Sequence, residues 1–106
     1  MESACDPTFG LVDDLLELLT KSKSLHILLV LDEKGNPMRF SDLKKQVDSS
    51  STTVSRRLKE LEAHGLVSRS HIQGHFNAFK YSLTKDAIKL SPIMQSLFDW
   101  AAERKS

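Results

Sequence analysis

A mainly α-helical domain with one small β-hairpin is the fold the sequence predicts, and three observations carry that reading. Apolar residues recur at helical spacing in several separate segments of the 106-residue chain. The segment Ser50–Gly65 is punctuated at both ends, by a serine able to cap and a glycine able to close. Directly behind it, two short runs alternate apolar and polar residues about a glycine, the period-two pattern of paired strands.

Each element follows in chain order. Leu11, Val12, Leu15, Leu16, Leu18 and Leu19 form the apolar stripe of a first helix, interrupted at Thr20–Ser24. A second helix starts near Ser24; its run Leu25, Ile27, Leu28, Leu29, Val30 and Leu31 is apolar almost all round, as in a helix buried in a bundle, with His26 expected among core side chains. Gly35, Asn36 and Pro37 form a turn, and Met38–Phe40 then run extended. Ser41 is placed to cap a short helix, with Asp42 at the positive end of its dipole and Leu43 and Val47 pointing inward. A turn at about Asp48–Ser50 leads into the fourth helix, Ser51 to His64, the expected recognition helix, whose buried stripe is Val54, Leu58 and Leu61, and Gly65 occupies the left-handed position beyond its end. Leu66–Ile72 and Phe79–Leu83 make the hairpin around a tip at Gln73–Asn77, where Gly74 is able to take positive φ. Thr84 caps a last helix lined by Leu90, Ile93, Met94, Leu97, Phe98 and Ala101, in which Pro92 predicts a kink or a fresh start after Ser91. Two helices joined by a tight turn and followed at once by a hairpin define a winged helix-turn-helix. The whole chain, 1–106, reads as one such domain: an N-terminal helix over 1–23, a winged-helix core over 24–84, and a C-terminal dimerisation helix over 85–106.

Composition narrows the function classes. With 40% hydrophobic and 27% charged residues the chain fits one globular domain. No apolar run is long enough to span a bilayer, and the first residues do not read as a secretion signal, so a cytoplasmic protein is expected. The single cysteine, Cys5, has no second thiol for a disulfide or a zinc site. The formal net charge is +1, yet charge is unevenly placed. Residues 1–38 hold three cations (Lys21, Lys23, Lys34) against seven acids, whereas residues 39–80 hold eight (Arg39, Lys44, Lys45, Arg56, Arg57, Lys59, Arg69, Lys80) against Asp42, Asp48, Glu60 and Glu62. A basic middle block is the electrostatic footprint of a protein that meets phosphates.

Turning Val54, Leu58 and Leu61 inward sends Thr52, Thr53, Arg56, Lys59, Glu60 and Ala63 outward. The first turns of such a helix enter the major groove, so Ser51, Thr52, Thr53, Ser55 and Arg56 are candidate DNA-contacting residues. Arg56 carries the fork that bonds guanine bidentately, whereas Arg57 and Lys59 suit phosphates. Lys44 and Lys45 on the preceding helix are further phosphate candidates, and in the wing His75 and Lys80, beside His71, Gln73 and Asn77, can touch sugar and phosphate.

Met38-Arg39-Phe40-Ser41-Asp42-Leu43, then Thr53 to Val67 with its Arg-x-Leu-x-x-Leu-x-x-x-Gly-Leu-Val core, then Lys80-Tyr81-Ser82-Leu83-Thr84, resemble HxlR-type transcriptional regulators of the MarR-like superfamily. Leu90 to Trp100 resembles that family's closing helix, and the similarity spans roughly residues 24–102. The resemblance implies a winged helix, a homodimer and a palindromic operator on double-stranded DNA. The chain departs from the family pattern in two places. Ser24 or Leu25 stands where a tryptophan opens the buried helix, and Gly74 to Ala78 replace a proline-rich wing tip ending in arginine. The electrophile-sensing cysteine of some relatives lies close before that helix; Cys5 lies further upstream, and no redox role is carried over to it.

No phosphate-binding glycine loop, catalytic triad or nucleophile elbow is present, so no enzyme is expected, and neither cofactor nor metal is. His71 and His75 have helical ligand spacing but sit across a wing loop with no third ligand beside them. A reading from another class stays open, a winged helix that binds a protein partner without touching DNA. The apolar surface of Leu90, Ile93, Met94, Leu97, Phe98 and Trp100, with that of Leu11, Leu15 and Leu18, predicts a homodimer through the terminal helices.

Overall fold

The computed structural model describes residues 7–105, with the side chains of 76 and 77 set aside; Cys5 lies outside the described residues. Five helices and three strands follow one another as α1 (Pro7–Leu19), α2 (Ser24–Lys34), β1 (Met38–Arg39), α3 (Phe40–Val47), α4 (Ser51–Ala63), β2 (Val67–Ile72), β3 (His75–Leu83) and α5 (Lys85–Lys105). The strands form an antiparallel sheet in the order β1-β3-β2. This is the winged helix-turn-helix, with α3 and α4 as the paired helices and β2–β3 as the wing.

One core joins the elements. Ile27, Leu28 and Leu31 of α2, Leu43 and Val47 of α3, Val54, Leu58 and Leu61 of α4, Val67 of β2, and Ala87 and Met94 of α5 all meet there, nearly or wholly removed from water. The chain is longer than a compact domain of its size: its radius of gyration is 15.2 Å and its extents 55 × 36 × 24 Å, against about 13 Å for a compact chain of this length. Apolar side chains are left exposed on both terminal helices, Phe9, Leu11, Val12 and Leu16 on α1 and Ile93, Leu97, Phe98 and Trp100 on α5.

The ends of α4 are closed as expected. The Ser50 hydroxyl accepts from the Thr53 backbone N–H (3.2 Å). At the far end, Gly65 takes φ 73°, its N–H donates to Glu62 and the N–H of Leu66 donates to Leu61, a Schellman closure that frees the chain to enter β2. Asp48, at φ 49°, makes the tight turn from α3. Thr84 caps α5, accepting from the Ala87 N–H (3.2 Å) and donating its own hydroxyl to the Gly65 carbonyl (2.6 Å).

Several expectations about the fold are corrected. Leu18 and Met94, expected on the apolar dimer surface, are 3% and 2% exposed and belong to the core, which α1 and α5 turn them into. Ser41 does not cap α3: the helix begins at Phe40, with Arg39 as the N-terminal flanking residue and no side-chain cap bond. Pairing of Arg39 with Lys80 holds the backbone extended only that far, and half-buried Phe40 packs against the core as the first helical residue. The wing tip is shorter than Gln73–Asn77. β3 begins at His75, opposite Ile72, so Gln73 and Gly74 alone make the turn, and a register shift between His71 and Ile72 absorbs the extra length of β3. His26 is exposed, not in the core, because α2 presents it beside Leu29, Val30 and Glu33 in a depression shared with Gln95 and Phe98 of α5. That side of α2, with Leu25, Leu29 and Val30 only half-buried, also corrects the expectation of a helix buried all round. Pro92, finally, does not restart the last helix, which runs unbroken from Lys85 to Lys105.

Candidate nucleic-acid interface

The capped start of α4 fixes which side chains face outward. With Val54, Leu58 and Leu61 buried, Ser51, Thr52, Ser55, Arg56 and Lys59 line one open depression along the helix. Thr52, Arg56 and Lys59 are exposed, and Thr53 and Ser55 are half-covered. Thr53 also receives a hydrogen bond from the Ser50 hydroxyl (3.1 Å), so its oxygen is partly committed to the cap. Among the described residues, Arg56 and Lys59 form no ion pair, and no carboxylate lines the depression. Two cations and three hydroxyls held free on a rigid helix can donate to base edges and phosphate oxygens alike.

Arg57 is placed differently. Its side chain is only 12% exposed and its guanidinium is paired with Glu60 one turn on. Glu60, expected to face outward, is half-buried and also receives Lys21 Nζ at 3.4 Å, from the turn between α1 and α2. Burial alone pushes the Glu60 pKa up, but the hydrogen bonds and charges of Arg57 and Lys21 outweigh it and hold the carboxyl below its ordinary value. Arg57 thus stands in a strut between α4 and the α1–α2 corner and is turned away from the open face. Lys21 lies 39 residues from Glu60 in sequence, and periodicity within one helix carries no signal of it.

Lys44 and Lys45 are exposed on α3. In the wing His75 is exposed and Lys80 half-covered. Sequence reasoning did not find the stack that stiffens the wing: Arg69 lies 4.3 Å over the Phe79 ring, His71 stacks on the same ring at 4.6 Å, and Arg69 reaches Glu62 of α4 at 3.7 Å. The alternation of Arg69 and His71 on β2 opposite an aromatic is the pattern that could have revealed it. No cluster of three metal-ligating side chains occurs among the described residues.

A helix-turn-helix with a two-stranded wing and an open, acid-free face on its second helix is the architecture of winged-helix transcriptional regulators. Residues 18–106 match the family model of the HxlR-like helix-turn-helix. The chain belongs to that family. It is 33% identical over 103 residues to YvaP, an uncharacterized HTH-type transcriptional regulator of Bacillus subtilis, covering 96% of this chain and 91% of that one. A second uncharacterized HTH-type transcriptional regulator, from Halalkalibacterium halodurans, is 36% identical over 81 residues, 76% of this chain and 72% of its own length. Among solved structures, a possible HxlR family transcriptional factor of Thermoplasma volcanium superposes with a TM-score of 0.77 at 28% identity, covering 86% of this chain and 81% of that one. The reduced form of the regulator YodB of Bacillus subtilis gives 0.71 at 27% identity, over 84% and 86%. The chain is accordingly a transcriptional regulator of the HxlR type, a class that acts by binding DNA.

Proposed function

We propose that the protein is a homodimer that reads a palindromic operator in double-stranded DNA by laying α4 in the major groove of each half-site. The acid-free depression formed by Ser51, Thr52, Ser55, Arg56 and Lys59 carries this reading. Arg56 reads guanine through its two-pronged donor set, Thr52 and Thr53 offer hydroxyl and methyl groups to neighbouring base edges, and Lys59 holds phosphate. Lys44 and Lys45 neutralise backbone phosphates from α3, and His75 and Lys80 do so from the wing. The exposed apolar faces of α1 and α5 support self-association, since patches of this kind mark interfaces.

Two substitutions test the reading after the operator has been selected from a random duplex pool. Arg56→Ala is expected to cost about 1–3 kcal/mol on the selected site and much less on random duplex, so specificity falls. Lys44→Ala is expected to weaken both targets alike and to lower the salt slope by about one unit per phosphate lost. Equal losses on both targets for Arg56→Ala would make it a phosphate clamp and move base reading to Thr52, Thr53 or the wing. If neither substitution changes binding, the fold serves a protein partner instead.

A further inference from the structure

The sheet has two unlike faces. One carries Met38, Val67, Arg69, His71, Phe79, Tyr81 and Leu83, the side that enters the core and holds the Arg69–Phe79–His71 stack. The registers Arg39↔Lys80 and Lys80↔Ser70 place one rung of three side chains straight across all three strands on the other face, with Ser68 and Ser82 on the adjacent rung. None of β1, β2 or β3 contains an aspartate or glutamate.

Arg39 and Lys80 are therefore like charges directly opposed, with Cβ atoms about 5 Å apart, an arrangement that works against strand pairing. Nothing within the described residues relieves it. Neither side chain makes an ion pair or a hydrogen bond, although Asp42 lies in the first turn of α3 and Asp32 borders the depression at Ser82. Arg39 is exposed, as are Ser68 and Ser70. Its side chain does not cap α3, so no local structural bond occupies it. A planar guanidinium, an ammonium and a serine hydroxyl in one row are donors only toward an oxyanion, and a negative group seated between the two cations turns their repulsion into attraction.

We propose that this outer sheet face is a phosphate-binding surface, with Arg39 and Lys80 gripping one backbone phosphate of the duplex between them and Ser70 donating its hydroxyl. Arg39 lies outside the candidate set drawn from the sequence, and the assignment adds a sheet contact to those of α3 and α4. It rests on the reading of the protein as a DNA binder.

The test is titration of the full chain onto a random-sequence 30-bp duplex between 50 and 200 mM salt, with thermal unfolding of each variant in the absence of DNA. Arg39→Ala is expected to lower the salt slope by about 0.9, so that its deficit against the wild-type chain shrinks about threefold across that salt range, while its unfolding temperature holds or rises. Arg39→Lys is expected to keep most of the slope. Arg39→Glu, which supplies Lys80 with an internal partner, is expected to raise the unfolding temperature and to lose about two units of slope. Lys89→Ala, exposed on α5, is the control and is expected to change neither. An unchanged slope for Arg39→Ala beside a reduced one for Arg56→Ala overturns the sheet contact and leaves the α4 reading standing. A fall in unfolding temperature that accounts for the whole loss of binding assigns Arg39 to the fold and overturns it equally. A wild-type chain with no salt-dependent affinity for the duplex removes the DNA reading, and the sheet contact with it.

Discussion

Leu58 lies on α4 midway between the capped start and the Schellman end, 2% exposed and packed in the common core. Leu58→Ala removes three carbon atoms from a site that water does not reach. At about 0.8 kcal/mol per buried methylene the lost transfer energy alone is about 2.4 kcal/mol. The cavity left among neighbours held by five helices and a sheet raises the total toward the upper part of the range of about 2–5 kcal/mol seen for buried leucines. Small domains are stable by only about 5–15 kcal/mol, so the loss is a large share of the whole. Urea unfolding followed by far-ultraviolet circular dichroism at one fixed protein concentration is the assay, fixed because self-association couples stability to concentration. With an m-value of about 1–3 kcal/mol/M, the midpoint is expected to fall by about 1 M or more. Arg56→Ala, two positions earlier on the open face and without an ion pair to lose, is expected to stay within about 0.5 kcal/mol of the wild-type chain. If Leu58→Ala shifts the midpoint no more than Arg56→Ala does, the inward and outward faces of α4 have been exchanged and the proposed DNA-reading set falls with them.

Glu60 provides a pH test. Its folded pKa lies below the ordinary value, so the stability it contributes is present above its unfolded pKa, about 4.3, and is lost as pH falls through the folded value. Glu60→Gln is therefore expected to unfold at lower urea than the wild-type chain at pH 7, with the gap narrowing as pH falls below the unfolded value; a gap that does not narrow would show that the ion pairs to Arg57 and Lys21 are not its source. Self-association is tested by Leu97→Glu, on the exposed face of α5. This variant is expected to keep the wild-type circular dichroism spectrum and sediment as a monomer where the wild-type chain sediments as a dimer. A wild-type chain that is itself monomeric at micromolar concentration refutes the proposed assembly.

What was legible in the sequence is what local chemistry decides. Ser50 and Gly65 bound α4 because a cap hydroxyl and a left-handed residue act within a few positions of themselves, and Val54, Leu58 and Leu61 declare its inner face by spacing alone. Thr84 announced the start of α5 for the same reason. What was hidden depends on partners far along the chain. Periodicity makes α2 apolar all round but says nothing of which neighbour is missing, so His26 was assigned to a core that stops short of it. Pairing of Arg57 with Glu60 is within reach of helical spacing, but the tie from Glu60 to Lys21, which makes the pair a strut to another element, is not. The opposition of Arg39 and Lys80 exists only once the register of β1 on β3 is known.

Thr84 has a consequence for how such a regulator can vary. One residue holds three things together: its backbone N–H donates to Leu66 at the root of β2, its hydroxyl donates to Gly65 just past α4, and the same oxygen accepts from Ala87 at the start of α5. The wing leaves this knot as two strands, closed at the far end by the turn Gln73–Gly74. Residues added to or removed from that end change the reach of the hairpin without re-aiming α5, because the root stays pinned. In the proposed dimer, reach along the DNA and spacing between half-sites are thereby separate variables, the first adjustable by loop length and the second by the angle at which α5 leaves its hydroxyl anchor.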